Sequence, residues 1–166
     1  MKVRGPDQGV NRALLGLVAA APVVAAAVLG SLATAPAIGK WYPTLVKPFF
    51  TPPNQVFGPA WTLLYALMAY AFWRILIASG GGPDKRAAII AFIGQIILNA
   101  LWSVVFFAWR APGAALILML ALWLAIAVTI TKFRPLDRVA AICLAPYLAW
   151  TTFAAALNIG IVMLNG

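Results

Sequence analysis

The chain contains no histidine and no glutamate, and its acidic residues are three aspartates, Asp7, Asp84 and Asp137. General acid–base catalysis usually needs a histidine or paired carboxylates beside the reacting group. A metal centre needs clustered His, Cys or carboxylate ligands. Neither set can be assembled from this sequence, which disfavours a catalytic dyad, a metal hydrolase and a haem held by histidine. Cys143, a methionine or a tyrosine could ligate iron, but none carries a local signature. The single cysteine also excludes an internal disulfide framework, and Cys143 sits in an apolar run where a thiol is ordinarily inert packing. The expectation is no metal and no required cofactor.

Charge is scarce as well. Of 166 residues 9% are charged and 64% hydrophobic, with a mean hydropathy of +0.98, a composition outside that of soluble domains. A bilayer core is crossed by about 20 apolar residues, and five such runs can be read at about 13–33, 59–78, 85–109, 112–131 and 138–164. The expected fold is an all-α membrane protein, a five-transmembrane-helix bundle forming one domain over residues 1–166. The first run is flanked by basic residues and by Ala33-Thr34-Ala35, which resembles a signal-peptide cleavage site, but its length favours a retained span. Pro22 predicts a mild kink, Pro59 a first-turn proline and Asp84 an N-cap for the third span.

The formal net charge of +9 does not read as a nucleic-acid footprint, because the basic residues sit at span ends and form no soluble stripe. Lys2, Arg4, Arg12, Arg74, Lys85, Arg86, Lys132, Arg134 and Arg138 fall on one face of the membrane, and Lys40, Lys47 and Arg110 on the other. That asymmetry predicts the N-terminus inside and the C-terminus outside. The N-terminus lacks a transit-like pattern, which favours a bacterial envelope protein and leaves inner and outer membrane undecided. No ionisable residue lies within a span interior, which counts against a proton relay or ion-coupled pump. Ala87, Ala91 and Gly94 could allow close helix approach, in a homodimer or within one bundle.

One connection, residues 34–58, is long, and in a compact bundle such a loop is functional or disordered. Its prolines and aromatics argue for order, so it is expected to act as a lid. Within the spans a sparse polar and aromatic set recurs at helical spacing. Gln95, Asn99, Trp102 and Phe106 share a face of the third span; Tyr147, Trp150, Ala154 and Asn158 share a face of the fifth; Trp61 and Tyr65 lie one turn apart on the second, with Met68 beyond. Amides can serve as interhelical ties and tryptophans as interfacial belts. Convergence of all three stripes beneath a stiff loop instead describes a pocket for a flat apolar ligand. Lys40 and Lys47 could meet acidic groups on that ligand, and Leu67, Tyr70 and Arg74 fit a loose sterol-contact pattern.

Trp41-Tyr42, Lys47-Pro48, Pro52-Pro53, Val56-Phe57, Trp61 and Leu64-Tyr65, then Gln95, Asn99, Trp102 and Phe106-Phe107, then Pro146-Tyr147, Trp150, Ala154 and Leu157-Asn158 together resemble the TspO/MBR family. These are the tryptophan-rich sensory proteins and mitochondrial translocator proteins, or peripheral benzodiazepine receptors. The resemblance implies a five-helix bundle, often a homodimer in membrane lipid, that binds porphyrins or haem, cholesterol-like sterols and benzodiazepine-type drugs under its first loop. Carried over, the ligand site comprises Trp41, Tyr42, Trp61, Tyr65, Gln95, Asn99, Trp102, Tyr147, Trp150, Ala154 and Asn158. Phe49 and Phe50 stand where many members have tryptophan, which keeps a stacking surface without the indole N–H. The C-terminal "ALNIGIVMLNG" lacks the basic and aromatic residues of the animal cholesterol motif. Some bacterial relatives degrade protoporphyrin in light, with residues matching Trp61 and Trp150 implicated. The resemblance thus implies a receptor or sensor, with a light-dependent porphyrin-degrading enzyme or a facilitative tetrapyrrole transporter as alternatives.

Overall fold

The computed structural model describes residues 6–79 and 82–166, with side chains from residue 11 onward. Its helices are α1 (Pro6–Ile38), α2 (Asn54–Ile77), α3 (Pro83–Ser103), α4 (Pro112–Phe133), α5 (Arg138–Cys143) and α6 (Ala145–Asn165). A π-turn, Val104–Ala108, extends α3, and a short 3-10 turn, Tyr42–Thr44, lies in the first loop. Five segments are long and apolar enough to cross a membrane: Asn11–Ile38, Asn54–Ile77, Pro83–Ala108, Pro112–Phe133 and Arg138–Asn165. Lys2 and Arg4, part of the charge asymmetry above, lie outside the described residues.

Contacts between helices close a ring in the order α1, α2, α5–α6, α4, α3. Its outer surface carries Leu17, Leu32, Ile117, Leu124 and Met163, all more than half exposed, as a lipid-facing surface requires. Inside, at the end away from the first loop, Phe72 and Phe92 stack with centroids 4.2 Å apart and Phe133 follows at 5.9 Å. Met68, Ile75, Met119, Leu122 and Ile126 fill the space around them. Polar ties close this end. Lys85 Nζ donates to the carbonyls of Leu76 and Ala78 at 2.9 and 3.0 Å, answering acceptors that the end of α2 leaves open. Arg74 donates to Asp137 Oδ2 through Nε at 2.9 Å and Nη2 at 2.8 Å, which fastens α2 to the start of α5.

Several expected boundaries are corrected. The first loop covers 39–53 rather than 34–58, since Pro36 and Ala33-Thr34-Ala35 lie within α1 and α2 starts at Asn54. Pro53, at φ −55° and ψ 145°, is extended as chain outside a helix start, and Val56 N–H donates back to its carbonyl at 3.0 Å. Pro59 is therefore past the first turn and removes one helical bond, a loss membrane helices tolerate. Asp84 is not the cap of α3: Gly82, at φ 110°, precedes Pro83 at the first helical position, and Asp84 follows in the first turn without a capping bond. Pro83 suits the first helical position and moves the boundary upstream, while Asp84 still complements the helix dipole there. Asp137 is a true cap, its Oδ1 accepting from Ala140 N–H at 2.9 Å. The fifth span is also broken, at Leu144, because Pro146 has no N–H for the carbonyl of Ile142. Leu144 N–H bonds to Ala141 and Leu148 N–H to Leu144 around the break.

Candidate functional site

Because α2, α3 and α6 all face the middle of the ring, their stripes meet. Tyr65 on α2 donates its hydroxyl hydrogen to Asn99 Oδ1 at 3.0 Å, and Asn99 Nδ2 on α3 donates to the Tyr147 hydroxyl on α6 at 2.9 Å. Asn99 and Tyr147 are fully buried, so one amide threads three helices in a single polar string. Trp61 lies over it, 5.4 Å from Tyr65 and 6.2 Å from Tyr147. Trp150 meets Phe57 of α2 at 5.9 Å and Phe153 of its own helix at 5.8 Å. Nearer the loop, Trp102 Nε1–H donates to Asn158 Oδ1 at 3.2 Å while Asn158 Nδ2 donates to the Pro112 carbonyl at 2.9 Å. Ala154, half-buried, packs against the same core.

Gln95 differs from the other two amides. It is wholly buried one turn from Asn99, yet neither its Nε2 nor its Oε1 has a hydrogen-bond partner. An unanswered buried polar group costs about 1–3 kcal/mol. This side chain therefore holds one donor group and one acceptor unmatched by the protein, beside the polar string.

The loop divides into two parts. Trp41 packs edge-on against Phe106 at 5.8 Å and Tyr42 against Phe107 at 5.8 Å, so the first part rests on the π-turn. Trp102, 5.3 Å from Phe106, joins this outer aromatic group to the inner one. Burial pushes the Tyr42 phenol above its usual pKa. In the second part Phe50 lies 6.3 Å from Phe153, whereas Phe49 touches Phe50 but is 99% exposed. Phe49 thus lines the outside of the loop. Lys47 Nζ sits 4.8 Å from the Tyr42 ring and donates to the Leu45 carbonyl at 3.3 Å, so its ammonium is held within the loop. In the sterol-contact pattern Arg74 donates to the Tyr70 hydroxyl at 3.2 Å as well as to Asp137, which gives that arginine a structural tie.

Gly30 escaped the reading of the sequence. A Cβ there would lie 3.3 Å from Ser103 Oγ and 3.9 Å from the Tyr65 hydroxyl, so the backbone of α1 forms a wall beside the polar string. A glycine in an Ala-rich run gives no warning of this. Two open surface depressions, each about 610 Å³, lie at the other end of the bundle: one lined by Thr131, Arg134, Pro135, Leu136, Asp137 and Arg138, the other by Gly82, Pro83, Arg86, Ala87 and Ile90. Neither includes a stripe residue.

Five membrane-crossing helices closed around inward-facing tryptophans, tyrosines and amides define a multi-pass integral membrane protein of the all-α class. More narrowly, the chain belongs to the TspO/MBR family, whose model matches residues 18–164. It is 43% identical over 143 residues to a tryptophan-rich protein TspO of Archaeoglobus fulgidus, covering 86% of this chain and 92% of the relative. It is 38% identical over 142 residues to a tryptophan-rich sensory protein of Cereibacter sphaeroides, covering 84% and 87%. A human translocator protein is 37% identical over 120 residues, 72% of this chain and 71% of that one.

Proposed function

We propose that this protein is a membrane receptor or sensor that binds porphyrins and related apolar ligands, such as sterols or benzodiazepine-type drugs, and influences their transport or turnover. The observation that carries the reading is the convergence of Tyr65 and Tyr147 on Asn99 from three helices, with Trp61 packed on both tyrosine rings. Flat aromatic faces offer stacking area to a planar ligand, and a few amides fix its orientation. The buried, unpartnered Gln95 adds a donor and an acceptor to the same region. Porphyrin or haem is ligand here, with no cofactor required.

Quenching of tryptophan fluorescence by protoporphyrin IX tests this in purified protein. Saturable quenching, weakened by Asn99→Ala and by Trp150→Phe, is expected. Unsaturable quenching indifferent to both changes would mean that the porphyrin only partitions into the micelle.

The spacing of Trp61 from Tyr65 and Tyr147 favours a second reading, light-dependent porphyrin breakdown with Trp61 and Trp150 as the oxidisable side chains. The porphyrin would supply the excited state and the protein its orientation. Illumination must then bleach protein-bound porphyrin faster than porphyrin in detergent. Facilitated passage of a tetrapyrrole would instead give flux into sealed vesicles.

The reading places the N-terminus inside. Among the described residues Arg12, Arg74, Lys85, Arg86, Lys132, Arg134 and Arg138 lie at the end opposite the first loop, against Lys40, Lys47 and Arg110 at the loop end, the asymmetry of a positive-inside topology. It also carries a homodimer through α3, where Gly94 has open space around it and Ile90, Ile97 and Leu101 face outward.

A further inference from the structure

We propose that Asn165 and Gly160 of α6 form a latch for the second part of the first loop, and that release of this latch sets the rate at which a ligand reaches and leaves the aromatic site. The inference rests on the ligand-binding reading above. Val46 N–H donates to Asn165 Oδ1 at 2.9 Å, and Asn165 Nδ2 donates back to the Val46 carbonyl at 2.9 Å. The amide side chain thus answers both backbone groups of one loop residue, as a neighbouring strand would. Its own plane is fixed by a further bond from Nδ2 to the Ile161 carbonyl at 2.8 Å. Among the described residues, these are the hydrogen bonds by which loop 39–53 reaches a helix other than the two it connects.

Gly160 supplies the second element. A Cβ at this position would overlap Pro48 Cγ, so Pro48, buried, occupies the notch that the missing side chain leaves. The two contacts are in register. An extended chain rises about 3.3 Å per residue, placing Pro48 roughly 6.6 Å beyond Val46, and five helical residues from Asn165 back to Gly160 span roughly 7.5 Å. The segment from Val46 therefore runs antiparallel to α6 and delivers Phe50 to Phe153. Phe153 touches Trp150, and Trp150 touches Phe57, so lifting this segment uncovers an aromatic arc leading into the site.

The remainder of the loop is held differently. Tyr42 is buried on the π-turn, and Thr51 N–H and Oγ1 both bond to the Pro48 carbonyl within the loop. These contacts do not involve Asn165. Residues 46–50 can accordingly lift, Lys47 leaving the Tyr42 ring, while Trp41, Tyr42 and Leu45 stay on the π-turn cluster.

Amide hydrogen exchange and stopped-flow dissociation of protoporphyrin IX, on the full chain in lipid nanodiscs, test the latch. In Asn165→Ala, Val46 N–H should exchange roughly tenfold faster, the scale expected for loss of two ordinary hydrogen bonds partly replaced by water. Thr51 N–H should change little. Protoporphyrin should dissociate and associate faster, so that affinity moves less than either rate. Gly160→Ala should act in the same direction by unseating Pro48 with the Asn165 side chain intact. Wild-type exchange at Val46 in both variants would overturn the proposal, as would faster exchange with unchanged porphyrin rates. Should protoporphyrin fail to bind wild type, the ligand reading falls by itself. The exchange comparison then still decides whether the latch exists, faster exchange in both variants supporting it and equal exchange refuting it.

Discussion

Replacing Asn99 with leucine, close to it in volume, removes the amide that links Tyr65 and Tyr147. In soluble proteins each such bond contributes about 1 kcal/mol net; between membrane helices measured values average about 0.6 and reach about 1.7 kcal/mol. Loss of two bonds thus accounts for roughly 1–3 kcal/mol. The Tyr147 hydroxyl, wholly buried, would then be stranded, adding about 1–3 kcal/mol. The expected total is about 2–6 kcal/mol. Tyr147→Phe should cost less, because it removes one bond and leaves Asn99 its acceptor contact with Tyr65. The double variant should be more stable than the sum of the singles predicts, by about 1 kcal/mol, since both singles delete the Asn99–Tyr147 bond. Reversible unfolding in mixed micelles of increasing SDS fraction, followed by circular dichroism, measures all four proteins. Additivity within about 0.3 kcal/mol would show that the amide and the phenol do not share an interaction, and the polar string would lose its meaning.

Other perturbations separate the site from the scaffold. Phe92→Ala, which empties the stack between Phe72 and Phe133, should destabilise by about 3–5 kcal/mol and leave protoporphyrin quenching at its wild-type midpoint in the fraction still folded. Gly30→Val should do the reverse in proportion, costing about 1–3 kcal/mol through overpacking against Ser103 while displacing Tyr65 and weakening quenching severalfold. For Asp137, burial raises the carboxyl pKa, but the bonds from Arg74 and the Ala140 N–H outweigh burial and hold it below its usual value. Its contribution is therefore complete above about pH 4, the unfolded carboxylate value, and fades as pH falls through the lower folded one. Asp137→Asn keeps a capping oxygen and loses a solvent-screened ion pair, so melting temperature should drop slightly at pH 7 and become flatter with pH below pH 4.

Apolar run lengths and the sites of Gly and Pro made five spans legible, and helical spacing placed Asn99, Tyr147 and Trp61 on faces that do meet. Spacing cannot show what an amide does once there. Asn158, read as a pocket residue, ties Trp102 to the Pro112 carbonyl, and nothing in a one-dimensional pattern separates it from Gln95, which is unpartnered. Pro36, expected within the loop, and Pro59, expected in a first helical turn, both lie in helix interiors, where neighbouring helices make the missing bond tolerable. The cap signal of Asp137 for α5, present in "RPLDRVA", went unused. Asn165 and Gly160 depend on loop residues more than a hundred positions away, a separation that local pattern does not span.

The π-turn at Val104–Ala108 has a meaning for chain length. Trp109 N–H reaches back five residues to Val104 at 3.0 Å, so α3 accommodates one residue more than a regular helix would between the same contacts. Removing a residue from this turn would regularise the helix, shorten it by about 1.5 Å and rotate everything beyond by about 100°. Phe106 and Phe107 could not both keep their places against Trp41 and Tyr42 after such a rotation. The seat of the loop therefore depends on an insertion, and single-residue deletions here should be far more damaging than substitutions at the same positions.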